Sequence, residues 1–282
     1  MSKSWVDEIH DDGYRIGMLS KSVLFSEQST FQKVEIIETT HYGNALMLDG
    51  IWMCAEKLEH TYHEMITHPA LCTAPKIENV LIIGGGDGGT AREVLRHQDV
   101  KSVDMVEIDG LVVEASKRFL PTIGTAWDDP RLNLIIGDGI KHVRETERVY
   151  DVIIVDGSDP VGPAEGLFNE TFFKDCASCL SQEGVMSVQG EGPMSMNKVH
   201  VALVQTIEKV FPNVNPYYQG LMIYPGGEWS WIYASKNVEY HKVHLDRVRA
   251  IESVSRIYNR DVHQGAFAIP NHVRKALGRV FD

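Results

Sequence analysis

Cysteine is scarce in this chain, long apolar runs are missing, and basic residues are outnumbered. Each shortage removes a class of protein. Cys54, Cys72, Cys176 and Cys179 are too few and too scattered in 282 residues to read as a disulfide framework. Cys176 and Cys179 form one C-x-x-C, but the stretch 170–180 has helical composition and no second pair nearby, which argues against a zinc or redox centre. The twelve histidines show no H-E-x-x-H or comparable spacing, so no metal site is expected. No run of 18 apolar residues occurs, and Met1-Ser2-Lys3-Ser4 leads into charged residues instead of an apolar core, so neither a membrane span nor a secretory signal is expected. Four unpatterned thiols then fit a reducing cytoplasm. With 27 basic against 39 acidic residues the net charge is −12. That balance argues against nucleic acid and anionic membranes as partners and suits small cationic substrates. No internal repeat or low-complexity segment is evident.

What is present reads as a two-part α/β protein. At 43% apolar content the chain can bury one large core and a smaller one. Residues 1–57 alternate polar and apolar, and Asp49-Gly50 between two apolar runs is a strong hairpin signal, predicting a small antiparallel β domain. Residues 58–282 begin with a helix over about 59–71. They continue as alternating strands and helices to about 210, followed by an antiparallel pair over about 214–222 and 228–234. The tail, 245–282, is helical in composition, with 263–269 as an irregular link.

Three strand ends in the second part carry a nucleoside signature. Asn79-Val80-Leu81-Ile82-Ile83 runs into Gly84-Gly85-Gly86-Asp87-Gly88-Gly89 and then a helical stretch, and such a loop lets backbone approach a ligand closely. The next strand ends in Glu107-Ile108-Asp109, about 20 residues past the glycines, where an acid can accept both hydroxyls of a ribose. A third strand, 132–136, ends in Gly137-Asp138-Gly139, whose Asp138 can accept from an adenine amino group. Asp87 separates this loop from a dinucleotide loop, since a phosphate there would be repelled by roughly 4 kcal/mol per unit charge. A nucleoside with a positive centre, such as a sulfonium, fits better.

A fourth strand end supplies two more acids. The apolar run 152–155 leads into Asp156-Gly157-Ser158-Asp159-Pro160-Val161-Gly162-Pro163, with carboxylates three residues apart on a loop that the prolines stiffen. Taken alone, Asp156 could cap a turn and Asp159 could be merely solvated. Together with the other strand ends, the pair reads as a cation site beyond the carboxyl edge of a parallel sheet.

In this order the motifs resemble the polyamine aminopropyltransferases, most closely the spermidine synthases. The resemblance covers nearly the whole chain: Phe31-Gln32, Tyr42-Gly43-Asn44, Leu48-Asp49-Gly50, Tyr62-His63-Glu64-Met65, the glycine loop, Val106-Glu107-Ile108-Asp109, the loop from Asp156, Gln189-Gly190-Glu191 and Tyr224-Pro225. It implies a Rossmann-like, methyltransferase-type doubly wound sheet behind the β domain, assembly into homodimers or homotetramers, and transfer of an aminopropyl group from decarboxylated S-adenosylmethionine, a co-substrate, to putrescine. It also implies that Gln32, Glu107, Asp138, Gly139 and Pro163 hold the nucleoside, and that Asp87 and Asp156 hold the aminopropyl ammonium. His63, Asp159, Gln189 and Tyr224 would line the diamine path, Tyr62 or Tyr224 would orient the amine, and Asp156 would be the general base.

The chemistry asks for such residues. An attacking amine must be neutral, yet an alkylammonium has a pKa of about 10 and a carboxylate about 4, a mismatch of about 8 kcal/mol. A sulfonium and a partly dry pocket would depress the amine's pKa so that Asp156 takes the proton as the C–N bond forms. The carboxylate of intact S-adenosylmethionine would clash with Asp87 and Asp156, which favours the decarboxylated donor. Three positions depart from the family pattern: Leu58-Glu59-His60 replaces Asp-Glu-Phe, Ile223 replaces a threonine, and Gly157 replaces a serine or threonine. All three are expected near the acceptor pocket, which leaves cadaverine, agmatine, 1,3-diaminopropane and spermidine as alternative acceptors. An S-adenosylmethionine methyltransferase shares the glycine loop and Glu107 but needs neither Asp87 nor the paired acids. A binding protein without turnover is the other alternative, and Asp156 with Tyr62 argues against it. His68, His97 and His142 read as helix-surface or core-edge residues. Trp52, Trp127, Trp229 and Trp231 read as core or pocket wall, with Trp5 or Trp229 placed to line an alkyl chain.

Overall fold

Alternation of period two gives way at Ala55 to helical and continuous apolar patterns, and the architecture changes at the same point. The structure, a computed structural model, describes residues 4–10, 13–158 and 166–279. Five strands, β1 (Ser4–Ile9), β2 (Arg15–Gln28), β3 (Lys33–Thr39), β4 (Asn44–Leu48) and β5 (Ile51–Ala55), form an antiparallel meander in sequence order. Asp49 and Gly50, both at positive φ, make the predicted turn between β4 and β5. The central helix α1 (His60–Leu71) comes next and is buried from Tyr62 to its end, because it packs against both α2 (Gly89–Leu95) and the main sheet.

That sheet has seven strands: β6 (Asn79–Gly84), β7 (Ser102–Glu107), β8 (Leu132–Ile136), β9 (Tyr150–Asp156), β10 (Leu180–Gln189), β11 (Asn213–Gly220) and β12 (Glu228–Ser235), in the order β11-β12-β10-β9-β6-β7-β8. The pairs from β10 through β9, β6 and β7 to β8 are parallel, and β12 pairs antiparallel with both β10 and β11. Helices α3 (Gly110–Phe119), α4 (Gly139–Glu145), α5 (Glu170–Cys179) and α6 (Asn197–Glu208) complete the doubly wound layer. The strand order reverses between β6 and β9, so the crevice beyond their carboxyl ends is where a ligand belongs in such a sheet. Gly84 and Asp156 face each other in register across that point.

Leu46, Leu48 and Cys54 of the small sheet pack on Val112, Ala115 and Leu120, which brings its β4–β5 edge over the start of α3 and roofs the crevice. None of the described helices is long and apolar enough to cross a membrane.

The tail departs from its sequence reading. Helices α7 (Leu245–Glu252), α8 (Arg260–Ala266) and α9 (Asn271–Ala276) place His263 inside a helix, and the irregular link is confined to 267–270. The Asn259 side chain caps α8 by accepting from the Val262 amide, and His263 is buried against the Tyr258 hydroxyl and the Tyr240 carbonyl. Glu64 pins this region to α1, its carboxylate accepting the amides of Arg256, Ile257 and Tyr258, each at 2.8 Å. His68 is likewise fully internal, 3.1 Å from Glu93, because α1 is a core helix with no solvent face past its first turn, and His97, just past the end of α2, is buried against it at 3.1 Å. His142 is half-buried beside the Tyr150 hydroxyl.

Candidate active site

The cavity at the strand reversal is walled by the glycine loop, the ends of β7 and β9, the start of α4, and Leu46, Leu48 and Met53 from the small sheet. The glycines are there because nothing larger fits. A Cβ on Gly84, which has φ 84°, would collide with the Asp156 carbonyl, and one on Gly86 would lie 2.9 Å from Glu107 Oε2. On Gly89 it would strike the His63 ring.

At the end between β6 and β9, two carboxylates are held by different partners. Asp156 accepts from the Tyr62 hydroxyl at 2.7 Å through Oδ1 and from the Thr90 hydroxyl at 2.6 Å through Oδ2. Asp87 accepts from the Gly89 amide at 2.8 Å and lies 3.1 Å from His63 Nε2. His63 Nδ1 lies 2.6 Å from Glu59, so both ring nitrogens face carboxylates, as an imidazolium with two N–H donors requires. Arg92 then grips Glu59 with both terminal nitrogens, at 3.0 and 2.7 Å.

These partners push like groups apart. Burial raises Asp156 above the ordinary carboxylate range and the charge of Asp87 adds to it, against the pull of His63, Thr90 and Tyr62. Burial acts on Asp87 in the same sense, but the His63 cation and the Gly89 amide outweigh it, and Asp87 stays low. His63 is held well above its usual value although burial opposes the charge, because Asp87 and Glu59 flank it. The result is one acid kept ionised beside a second that is readier to take a proton, the pattern expected of acid–base chemistry.

At the other end, Glu107 accepts the Asp109 amide at 2.8 Å, and burial, reinforced by the charges of Asp109 and Asp156, pushes its carboxyl up to about 7. Asp109 caps α3 and also accepts from Ser29 at 2.8 Å and from Gln32 Nε2 at 3.1 Å, which ties the small sheet to the crevice. Asp138 is exposed at the mouth and caps α4 through the amides of Ile140 and Lys141.

The model of the spermine/spermidine synthase domain matches residues 59–246, and that of the spermidine synthase tetramerisation domain matches residues 4–56. The chain belongs to the spermine/spermidine synthase family. It is a transferase of the polyamine aminopropyltransferase kind. A polyamine aminopropyltransferase of Prochlorococcus marinus (strain NATL2A) is 48% identical over 279 residues, covering 98% of this chain and 96% of that one. A crystal structure of spermidine synthase in complex with the transition state analogue AdoDATO superposes with a TM-score of 0.95 at 38% identity, covering 98% of this chain and 96% of the other. The spermidine synthase of Thermotoga maritima gives 0.94 at 37%, covering 99% and 96%.

Within this aminopropyltransferase the cavity gathers Gln32, Tyr62, Asp87, Glu107, Asp138, Gly139, Asp156 and Tyr224. His63 is not among the described lining residues and reaches the cavity through Asp87 and the Tyr62 ring. Gln189 is buried behind it, its amide donating to Glu191 at 2.7 Å, and is not among the described lining residues. Asp159 and Pro163 lie outside the described residues. Of the three departures, Gly157 alone lines the cavity, where a Cβ would come within 2.9 Å of Leu167. Ile223 is buried in the apolar cluster that also contains Tyr62, Leu58 packs half-buried against it, and neither is among the described lining residues. Trp5 is 66% exposed on the edge strand β1 and is not among the described lining residues, and Trp229 backs the Tyr224 ring at 4.4 Å. Thr90, Glu59, Arg92 and Asp109 are the site residues that sequence reasoning did not single out. A signal existed only for Asp109, an acid directly before a helix.

Proposed function

We propose that the protein is a spermidine synthase, moving the aminopropyl group of decarboxylated S-adenosylmethionine to putrescine and giving spermidine and S-methyl-5'-thioadenosine. The observation that supports this most is Asp156, held by Tyr62 and Thr90, facing one cavity with an Asp87 kept ionised by His63. In this reading Gln32, Glu107, Asp138, Gly139 and Pro163 hold the nucleoside. Asp87 and Asp156 receive the aminopropyl ammonium, and His63, Tyr62, Asp159, Gln189 and Tyr224 serve the diamine side.

The neutral amine's lone pair attacks the propyl carbon beside the sulfonium. The C–S bond breaks with its electron pair going to sulfur, which leaves a neutral thioether, and the proton of the new secondary ammonium passes to Asp156. A base pushed up by burial suits this step, because it narrows the gap to an alkylammonium. The donor is a co-substrate and the reaction needs no cofactor. Assembly into a dimer or tetramer through the small sheet accompanies the reading, supported by Trp5, Ile9 and Val23, which are 66%, 78% and 55% exposed.

The test is mass spectrometry of products after incubation with decarboxylated S-adenosylmethionine and an equimolar mixture of putrescine, cadaverine, agmatine and spermidine, with intact S-adenosylmethionine as a parallel donor. Methylthioadenosine with spermidine is expected. A different dominant product would reassign the acceptor, and transfer from the intact donor alone would overturn the reading.

A further inference from the structure

Behind the cavity runs a file of side chains of alternating charge. Asp87 meets His63, His63 meets Glu59, Glu59 meets Arg92, Arg92 meets Glu93 at 2.7 Å, and Glu93 meets Arg96 at 2.8 Å near the surface. The first five are buried or nearly so, and no reacting atom in the proposed transfer needs anything beyond His63. Such a row is costly to bury unless every member is paired, and here each one is.

The geometry points to Arg92 as a positioning residue for the transfer. Its fork fixes the plane of the Glu59 carboxylate, which fixes His63 against Asp87 and so stops Asp87 and Asp156 from sharing one proton. This inference rests on the reading of Asp156 as the base. Glu59 Oε2 is shared by Arg92 Nη2 at 2.7 Å and His63 Nδ1 at 2.6 Å, while Oε1 takes Arg92 Nη1 at 3.0 Å and His60 Nδ1 at 2.8 Å. Neither oxygen can rotate without breaking two contacts. Arg92 also donates to the Ile123 carbonyl at 3.0 Å, which anchors the fork from the far side. Lysine, a single point charge, could not satisfy both oxygens and the carbonyl together.

The consequence lies in the pair of acids. Two carboxylates facing one small space take up a shared proton unless a cation intervenes, as in a proton-sharing dyad. The groups facing His63 are Glu59 just before its own helix, the Tyr62 ring, Asp87 from the glycine loop and Asp156 of β9, with His60 and Arg92 of α2 reaching it through Glu59 and the Cys54 thiol of β5 through Asp87. Those facing Asp156 are Tyr62, Thr90, Asp87, His63 and, from β7, Glu107. His63 is the one cation among the described groups in direct contact with Asp87, and its other ring nitrogen is held by Glu59.

The test compares wild type, Arg92→Lys and Arg92→Met by the pH dependence of kcat/KM, together with nitrogen-15 NMR of the His63 ring in the whole enzyme. The acid limb, which reports Asp156 taking its proton, is expected to move up by about one pH unit in Arg92→Met and by less in Arg92→Lys. Turnover at neutral pH should fall about tenfold in Arg92→Met and recover at higher pH, with the His63 Nε2 resonance shifting as its hydrogen bond to Asp87 loosens while the ring stays protonated beside an unpaired Glu59. Coincident limbs and unchanged ring resonances in the variants would overturn the inference, even with lowered thermal stability, because a merely structural Arg92 moves stability alone. Should Arg92→Met not fold, Arg92→Lys against wild type decides the matter by the same two readouts. If wild type shows no aminopropyl transfer, the functional reading fails, while the ring resonances still report whether Arg92 governs His63.

Discussion

The two ends of the cavity are both made of carboxylates, and they are held in opposite ways. Between β6 and β9, Asp87 and Asp156 are matched by a cation, a backbone amide and two hydroxyls. At the end of β7, Glu107 has two amides and no cation among the described residues, so burial governs it and its carboxyl rises to about 7. An acid fixed by paired charge keeps its state while substrates come and go. One fixed by burial keeps accepting capacity in reserve and changes state when a ligand supplies donors. Only Asp87 is fixed in the first way, and beside it stands Asp156, which burial leaves able to take a proton. That end therefore suits proton transfer, and the other suits recognition of a hydroxylated ligand.

The sharpest way to break the comparison is at its reactive end. Asp156→Asn preserves shape and removes the base, so kcat is expected to fall about a thousandfold, while methylthioadenosine affinity changes by no more than about threefold. Steady-state kinetics beside calorimetry checks both. A turnover within about threefold of wild type would remove Asp156 from its role.

Glu107 offers the next largest effect, and its sign comes from proton counting. The folded protein holds the Glu107 proton up to about 7 and the unfolded chain releases it near 4.5, so between those values the folded state binds more protons. Stability of the empty protein therefore falls as pH rises through that window, by about 3 kcal/mol from this group. Glu59 and Asp87, whose carboxyls are held low, contribute stability that is already complete above about 5 and do not mask the trend. Burial holds His97, His200 and His263 below the usual imidazole value, so they add stability as pH rises toward 6.5. The Glu107 contribution is therefore read as a difference between thermal melts: across pH 5 to 7.5 the stability of wild type should fall relative to that of Glu107→Gln. Methylthioadenosine should bind the variant about 10- to 100-fold more weakly, because a hydrogen bond to a charged group contributes about 1.5–3 kcal/mol. A proton released on binding, read by calorimetry in two buffers, would mark Glu107 ionising under the ligand.

A smaller change sharpens the reactive end. Thr90→Val keeps the volume and removes the 2.6 Å hydrogen bond that helps hold Asp156 ionised. The acid limb of kcat/KM is expected to move up by about half a pH unit, with a severalfold loss at neutral pH. An unmoved limb would assign Asp156's protonation to Tyr62 and His63 alone.

Legibility in the chain splits along the same divide. Strand ends, the glycine loop and the acids on them are local patterns, so Asp87, Glu107, Asp138 and Asp156 stand in the sequence as they stand around the cavity. What holds them is not local. Glu59 and Arg92 are 33 positions apart, Gln32 and Asp109 are 77, and Tyr62 and Asp156 are 94, and nothing in periodicity or spacing joins such pairs. His68 and His97 illustrate the same limit, since a histidine on a helix or just past its end shows its burial only when the helix is known to lie in the core. The tail failed for a different reason. Asn259 with Asp261 two residues later is a local helix start, but it marks a helix of only two turns that Gly265 and Pro270 make look like a loop.

Tyr224 tests whether the wall between the two ends does more than fill space. Its hydroxyl donates to the Met53 carbonyl at 2.6 Å, and its ring meets Tyr62 edge-on at 5.8 Å and Trp229 at 4.4 Å, so it joins the small sheet to the aromatic group behind Asp156. Tyr224→Phe keeps the ring contacts and removes the tie to β5. The cost in stability is expected to be about 1 kcal/mol, the usual net contribution of one such bond, with kcat changed by less than about threefold and the KM of the amine by more than that of the donor. Equal shifts in both KM values would instead mean that the small sheet moves as one roof over the whole cavity, and that its two ends are less independent than their electrostatics suggest.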